Sequence, residues 1–228
     1  MKKLKSILLS SLMLTALIAC DKKDDTTDSG NNNNNGNGNG NGNGESSSYV
    51  EYNNKKHDTP KAWVELYGQY PESNVYDRDL NFSNIEAEVL YSEDTTITID
   101  NINYVYLDIN NSLTSTEIET GTYTLDSTRA AGKIVDAFVI IDSDYDASTG
   151  TITPNEGGVE LTYDNIAFEK ASATVEIAKT STGEYTVNYT LGFDGVVVTG
   201  TYQGEITKEF DYSDDERKSP IQKAFSKK

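Results

Sequence analysis

The chain has 228 residues, with 37 Asp and Glu against 19 Lys and Arg, a formal net charge of −18, one Cys and one His. One Cys excludes an intramolecular disulfide framework, and one His excludes a His-rich metal centre. The acidity argues against nucleic acid as a partner, because phosphate binding needs clustered Lys and Arg.

Lys2, Lys3 and Lys5 make a basic start, and residues 7–19 form an apolar run broken only by Ser10, Ser11 and Thr15. At ~1.5 Å per residue such a run spans about 20 Å, short of a hydrocarbon core of about 30 Å. Basic start, short apolar run and a small residue at the end spell a secretory signal rather than a membrane span. Leu17-Ile18-Ala19-Cys20 resembles the lipobox of bacterial lipoproteins. That resemblance implies cleavage before Cys20, a diacylglyceryl thioether on its sulfur and an amide-linked acyl chain such as palmitate. Shedding Lys2, Lys3 and Lys5 takes the formal charge from −18 to −21. Acyl burial at ~0.8 kcal/mol per CH₂ makes a multiply acylated Cys a stable anchor.

Asp21-Lys22-Lys23-Asp24-Asp25 resembles the short signal that exports Bacteroidota lipoproteins to the outer face of the outer membrane. Residues 30–44 are only Asn and Gly, which cannot offset the entropy of ordering and predict a disordered linker. A flexible tether over residues 20–48 has a root-mean-square span of about 30 Å. The sequence therefore divides into a signal peptide (1–19), a lipidated Cys with its tether (20–48), a β domain (49–212) and a polar tail (213–228).

Within residues 49–212 the hydrophobic signal has period two, the mark of strands buried on one face. Ala62, Val64 and Leu66 alternate with Trp63, Glu65 and Tyr67, and Val105, Leu107 and Ile109 alternate with Tyr104, Tyr106 and Asp108. Ala87/Val89/Tyr91, Ile97/Ile99, Tyr123/Leu125 and Val159/Leu161/Tyr163 mark shorter strands. Residues 133–141 are apolar on both parities, as in a central strand covered on both sides. Ala173/Val175/Ile177, Tyr185/Val187/Tyr189/Leu191 and Val196/Val198/Gly200/Tyr202 form a meander. Its turns are Ser181-Thr182-Gly183 and Asp194-Gly195, the second a preferred hairpin turn. About ten strands without a helical period predict an all-β fold, an antiparallel β-sandwich with a closed barrel as the alternative. Ser219-Pro220 could open a short terminal helix.

The run from Tyr104 to Ile109 leading into Gly121-Thr122-Tyr123, and Gly183-Glu184-Tyr185 leading through Asp194-Gly195 into Gly200-Thr201-Tyr202, resemble uncharacterised Bacteroidota surface lipoproteins. The resemblance implies a β-sandwich-like domain and a surface location, and it brings no catalytic residues.

Three features carry candidate chemistry. Asp142, Asp144 and Asp146 place alternate carboxylates in one loop, as Ca²⁺ requires, but Ala147 and Thr153 stand where an EF-hand needs Gly and Glu. Trp63, Tyr67, Tyr104 and Tyr106 lie on the parity opposite the aliphatics and, if exposed, would stack on sugars or anchor a protein. The 29 acids of residues 49–212, against nine bases, guarantee some close pair and so do not single out a glycosidase-type dyad. His57, in a polar Pro-terminated stretch, reads as part of the linker edge. The reading is a non-enzymatic lipoprotein of the outer membrane, displayed on the cell surface, binding glycan or protein, with no cofactor beyond its covalent lipid. A carboxylate-based extracellular hydrolase and an accessory subunit of an outer-membrane assembly are the alternatives.

Overall fold

The computed structural model describes residues 47–70, 73–92, 94, 96–112, 117–206 and 208–212. Cys20, the signal peptide, tether residues 20–46 and the 219–228 helix expectation lie outside them, whereas Ser48, expected in the tether, is buried and hydrogen-bonded to Gln203 of the domain. The described residues are all-β apart from one short helix and two 3₁₀ turns.

The strands are β1 (Tyr49–Tyr52), β2 (Lys55–Asp58), β3 (Lys61–Gln69), β4 (Tyr76–Ser83), β5 (Thr98–Asn111) and β6 (Gly121–Leu125). They continue with β7 (Lys133–Asp146), β8 (Thr151–Thr162), β9 (Ala171–Lys179), β10 (Tyr185–Phe193), β11 (Val196–Gly204) and β12 (Lys208–Asp211). They form one mixed sheet in the order β12-β3-β4-β5-β7-β6-β9-β10-β11-β1-β2, curled into a half-barrel. β7 is the branch point. One edge pairs with β5, while the other pairs first with β6, in parallel, and then with β8.

The meander β9-β10-β11 follows the expected alternation: Val175, Ile177, Val187, Tyr189, Leu191, Val198 and Tyr202 are buried and their neighbours face outwards. Asp194 and Gly195 both have positive φ, 45° and 90°, as a two-residue type I′ turn demands. Asn53 and Asn54 do the same between β1 and β2, at 51° and 61°, in a hairpin that the polar sequence concealed. That hairpin takes His57 out of the linker: it lies in β2, 8 % exposed. Burial and nearby Lys55 lower its pKa.

Two cores share the sheet. In the first, Val64, Leu66, Leu80, Phe82, Val105, Leu107, Val139 and Ile141 pack with the buried side chains of β9, β10 and β11. Phe82 meets Tyr189 and Tyr202 at ring distances of 5.9 and 5.3 Å. Gly200 is required there, because a Cβ would stand 2.2 Å from the Tyr189 hydroxyl across the ladder. The second core lies on the other face of β3, β4, β5 and β7 and holds Trp63, Tyr104, Tyr106, Phe138 and Ile140.

The helix α1 (Ala87–Leu90) corrects the expected strand at Ala87/Val89/Tyr91. Ala87 and Leu90, three residues apart and so on one helical face, are buried, whereas Val89 is 40 % exposed. Spacing of three, not two, governs this segment. Ala87 and Leu90 help to cover the second core.

Candidate functional site

The second face of β3-β4-β5-β7 is ordered in cross-strand rows. Lys61, Ser83, Tyr104 and Ile140 are successive partners, as are Trp63, Asn81, Tyr106 and Phe138. The next row is acidic throughout: Glu65 opposes Asp79, Asp79 opposes Asp108, and Asp108 opposes Asp136. Beyond it Asp77 opposes Asn110. Like charges directly opposite are destabilising, so this row needs compensation from protons, donors or a cation.

At its buried end, donors supply it. Glu65 is fully buried and accepts from the Tyr67 hydroxyl at 2.7 Å and from Asn81 Nδ2 at 3.1 Å. Tyr91 also donates to Glu65 while accepting from Trp63 Nε1 at 2.6 Å. Tyr104 donates to Asn81 Oδ1, so a second relay ends on the same carboxylate. Burial raises the Glu65 pKa, and these donors oppose the rise. Farther along, the Tyr106 hydroxyl donates to Asp79 Oδ1 at 3.0 Å. Burial is also the leading cause of the raised pKa of Asp77 and of the strongly raised pKa values of Asp79 and Asp108, with neighbouring carboxylates adding to the last two.

The open end of the row is half-buried. Asp77, Asp108 and Asp136 reach partial exposure there. Tyr70 lies beside Asp77, and the Arg129 guanidinium stacks on its ring at 4.6 Å. One oxygen each of Asp77, Asp79 and Asp108 lies within 4.8 Å of the others. None of these three residues was singled out from sequence. The available signal was Asp77-Arg78-Asp79 and Asp108-Ile109-Asn110, two same-face polar pairs on strands whose alternate residues are buried.

The aromatic candidates do come together, but inside the protein. Trp63, Tyr104 and Tyr106 are 2 %, 1 % and 9 % exposed, and only Tyr67 is half-buried. Trp63 stacks on Tyr104 at 5.8 Å and Tyr106 on Phe138 at 4.7 Å. They form no open stacking platform. Both parities of these strands are buried because α1, Tyr91 and Phe210 cover the second face.

The calcium candidates are not gathered into one site. Asp142 sits at a bulge with φ of 48° and pairs with Lys55 at 3.8 Å. Asp144 Oδ1 accepts from the Asn101 backbone and from Asn155 Nδ2, both at 3.0 Å, which holds its pKa low. Asp146 Oδ1 accepts from the backbone and hydroxyl of Ser148. Asp142 thus ties β7 to β2, Asp144 ties it to β5, and Asp146 alone serves its own turn.

On the outer side of the meander, two further rows cross six strands. One reads Thr124, Thr174, Thr190, Thr199, Glu51, Lys56; the other reads Thr122, Glu176, Asn188, Thr201, Tyr49, Asp58. A groove of about 400 Å³ is lined by Tyr49, Thr174, Glu176, Asn188, Thr190, Thr199 and Thr201. Lys56 lies over the Tyr49 ring at 4.2 Å.

No protein-family model matches the chain, and no curated protein or solved structure resembles it significantly.

Proposed function

We propose that this is a lipoprotein anchored through Cys20 in the outer membrane, facing outside the cell, whose β domain binds glycan without catalysis. The observation that carries the reading is the groove over β9, β10, β11 and β1. Hydroxyl, amide and carboxylate groups at strand spacings of about 4.8 Å suit the repeated hydroxyls of a saccharide. With Lys56 over Tyr49, recognition rests on hydrogen bonds rather than ring stacking. Within the all-β class we favour a sandwich-like description, one layer around β3-β4-β5 and the other around β9-β10-β11.

A glycan array probed with the full chain tests the binding. Asn188→Ala combined with Thr190→Val is expected to weaken a bound glycan about tenfold, a change of about 1.4 kcal/mol. Both side chains are exposed, so the melting temperature should hold. Binding indifferent to both changes would reject the groove. Cys20→Ser tests the anchor: the variant should remain an uncleaved precursor without acyl label. Normal acyl incorporation would refute the lipid attachment.

A second reading, a carboxylate-based hydrolase, is favoured by the grouping of Asp77, Asp79 and Asp108, whose oxygens lie within 4.8 Å of one another and whose pKa values burial raises, since shifted acids recur at catalytic centres. Polymer turnover lost in Asp108→Asn would support it over the binding reading.

A further inference from the structure

We infer that Asp77, Asp79, Asp108 and Asn110 form a calcium site, separate from the groove and from the acidic loop at residues 142–146. Three observations meet here. The first is spacing. Ca²⁺ binds oxygens at about 2.4 Å, so two ligands on opposite sides of the ion stand about 4.8 Å apart. The three carboxylate oxygens fall within 4.8 Å of one another. Mg²⁺ demands near-octahedral geometry and gives up its waters reluctantly, so a mixed set of acids and an amide on two strands suits the more flexible shell of Ca²⁺.

The second is Asn110. It is fully buried, stands opposite Asp77 in the ladder, and shares a face with Asp79 and Asp108. Neither Nδ2 nor Oδ1 of its amide has a hydrogen-bond partner. Leaving a buried polar group unmet costs about 1–3 kcal/mol, so such a group calls for an explanation. A cation among the carboxylates gives Oδ1 its partner.

The third is charge. Oδ1 of Asp77 and Oδ1 of Asp108 are buried and also unpartnered. Arg129 acts on both at a distance and Arg78 acts on Asp77 as well, while the Arg129 guanidinium stacks over Tyr70. Neither Asp77 nor Asp108 belongs to an ion pair among the described residues. An oxygen-only set of three acids and one amide selects a hard divalent cation over zinc or copper. Partial exposure of Asp77 and Asp108 leaves the ion a way in.

The rival account is a proton shared between Asp77 and Asp108, and the two are separable. Tb³⁺ replaces Ca²⁺ and emits when excited through a nearby tyrosine; Tyr106 and Tyr70 adjoin this cluster. The full chain, freed of metal by chelator, is titrated with Tb³⁺ under tyrosine excitation. One saturable equivalent is expected, displaced by Ca²⁺ at lower concentration than by Mg²⁺. Asp77→Asn with Asp108→Asn should abolish it, while Asp142→Asn with Asp144→Asn should not. Should the first pair misfold, Asn110→Leu serves. It removes the unmet amide at similar volume, so the fold is retained, and Ca²⁺ displacement should need about tenfold more ion. No saturable emission, emission surviving the Asp77 and Asp108 changes, or unchanged Ca²⁺ displacement in Asn110→Leu would overturn the site.

Discussion

Replacing Glu65 by leucine should destabilise the domain by about 3 kcal/mol, lowering the melting temperature by about 6–12 °C. The cost comes from the groups left behind. Asn81, fully buried, aims a proton at this carboxylate and has no water to turn to, and half-buried Tyr91 and Tyr67 lose the acceptor they share. Glu65→Gln should cost far less, because an amide oxygen can still receive Tyr91 and Asn81 while its nitrogen faces the Tyr67 hydroxyl. A leucine variant as stable as the wild type would mean that the two donor relays do not end on Glu65.

The same substitution reads out pH. Burial raises the folded pKa of Glu65 above the ordinary glutamate value of 4.5. Its stabilising contribution is therefore complete below that value and is lost as pH rises through the folded pKa. Asp77, Asp79 and Asp108 shift the same way. His57 opposes them: its lowered pKa removes stability as pH falls below 6.5 and through the folded value. Four acids outnumber one imidazole. With chelator present, thermal melts should give a higher melting temperature at pH 5 than at pH 8, and Glu65→Gln should flatten the slope.

Asp194→Pro should cost about 3 kcal/mol or more. Proline fixes φ near −65°, whereas Asp194 has φ of 45°. Proline also removes the Asp194 N–H that donates to the Lys170 carbonyl at 3.1 Å. The Lys170–Asp194 ion pair is exposed and adds little. Asp194→Asn, which tolerates left-handed φ, should therefore be nearly neutral in a denaturant melt, and equal losses from Pro and Asn would contradict the turn assignment.

The meander was legible because each of its strands buries one face, so period two survives in the sequence. β7 was legible for the opposite reason: Ala137 to Ile141 are apolar on both parities. β4 was not legible. Asp79 and Asn81 occupy buried positions that pattern reading assigns to apolar residues, and Arg78 is 2 % exposed on the other face. The acidic cluster was hidden for a topological reason. Asp77 and Asp79 meet Asp108 only because β4 pairs with β5 across some 30 residues, and that register is set by the aliphatic face: Leu80 against Leu107, Phe82 against Val105. The four aromatics were recognised as one face, but sequence held no sign that α1 and Phe210 would cover it.

β1 lies between β2 and β11, and β12 docks beside β3 in parallel. The earliest strand thus finds one neighbour only after nearly the whole domain has been made, and β3 remains an open edge until the last strand arrives. A nascent chain cannot finish this sheet piecemeal. Such distant pairings slow folding and prolong exposure of sticky edges. The interval between making β3 and making β12 is therefore when the unfinished sheet is most exposed to edge-to-edge aggregation.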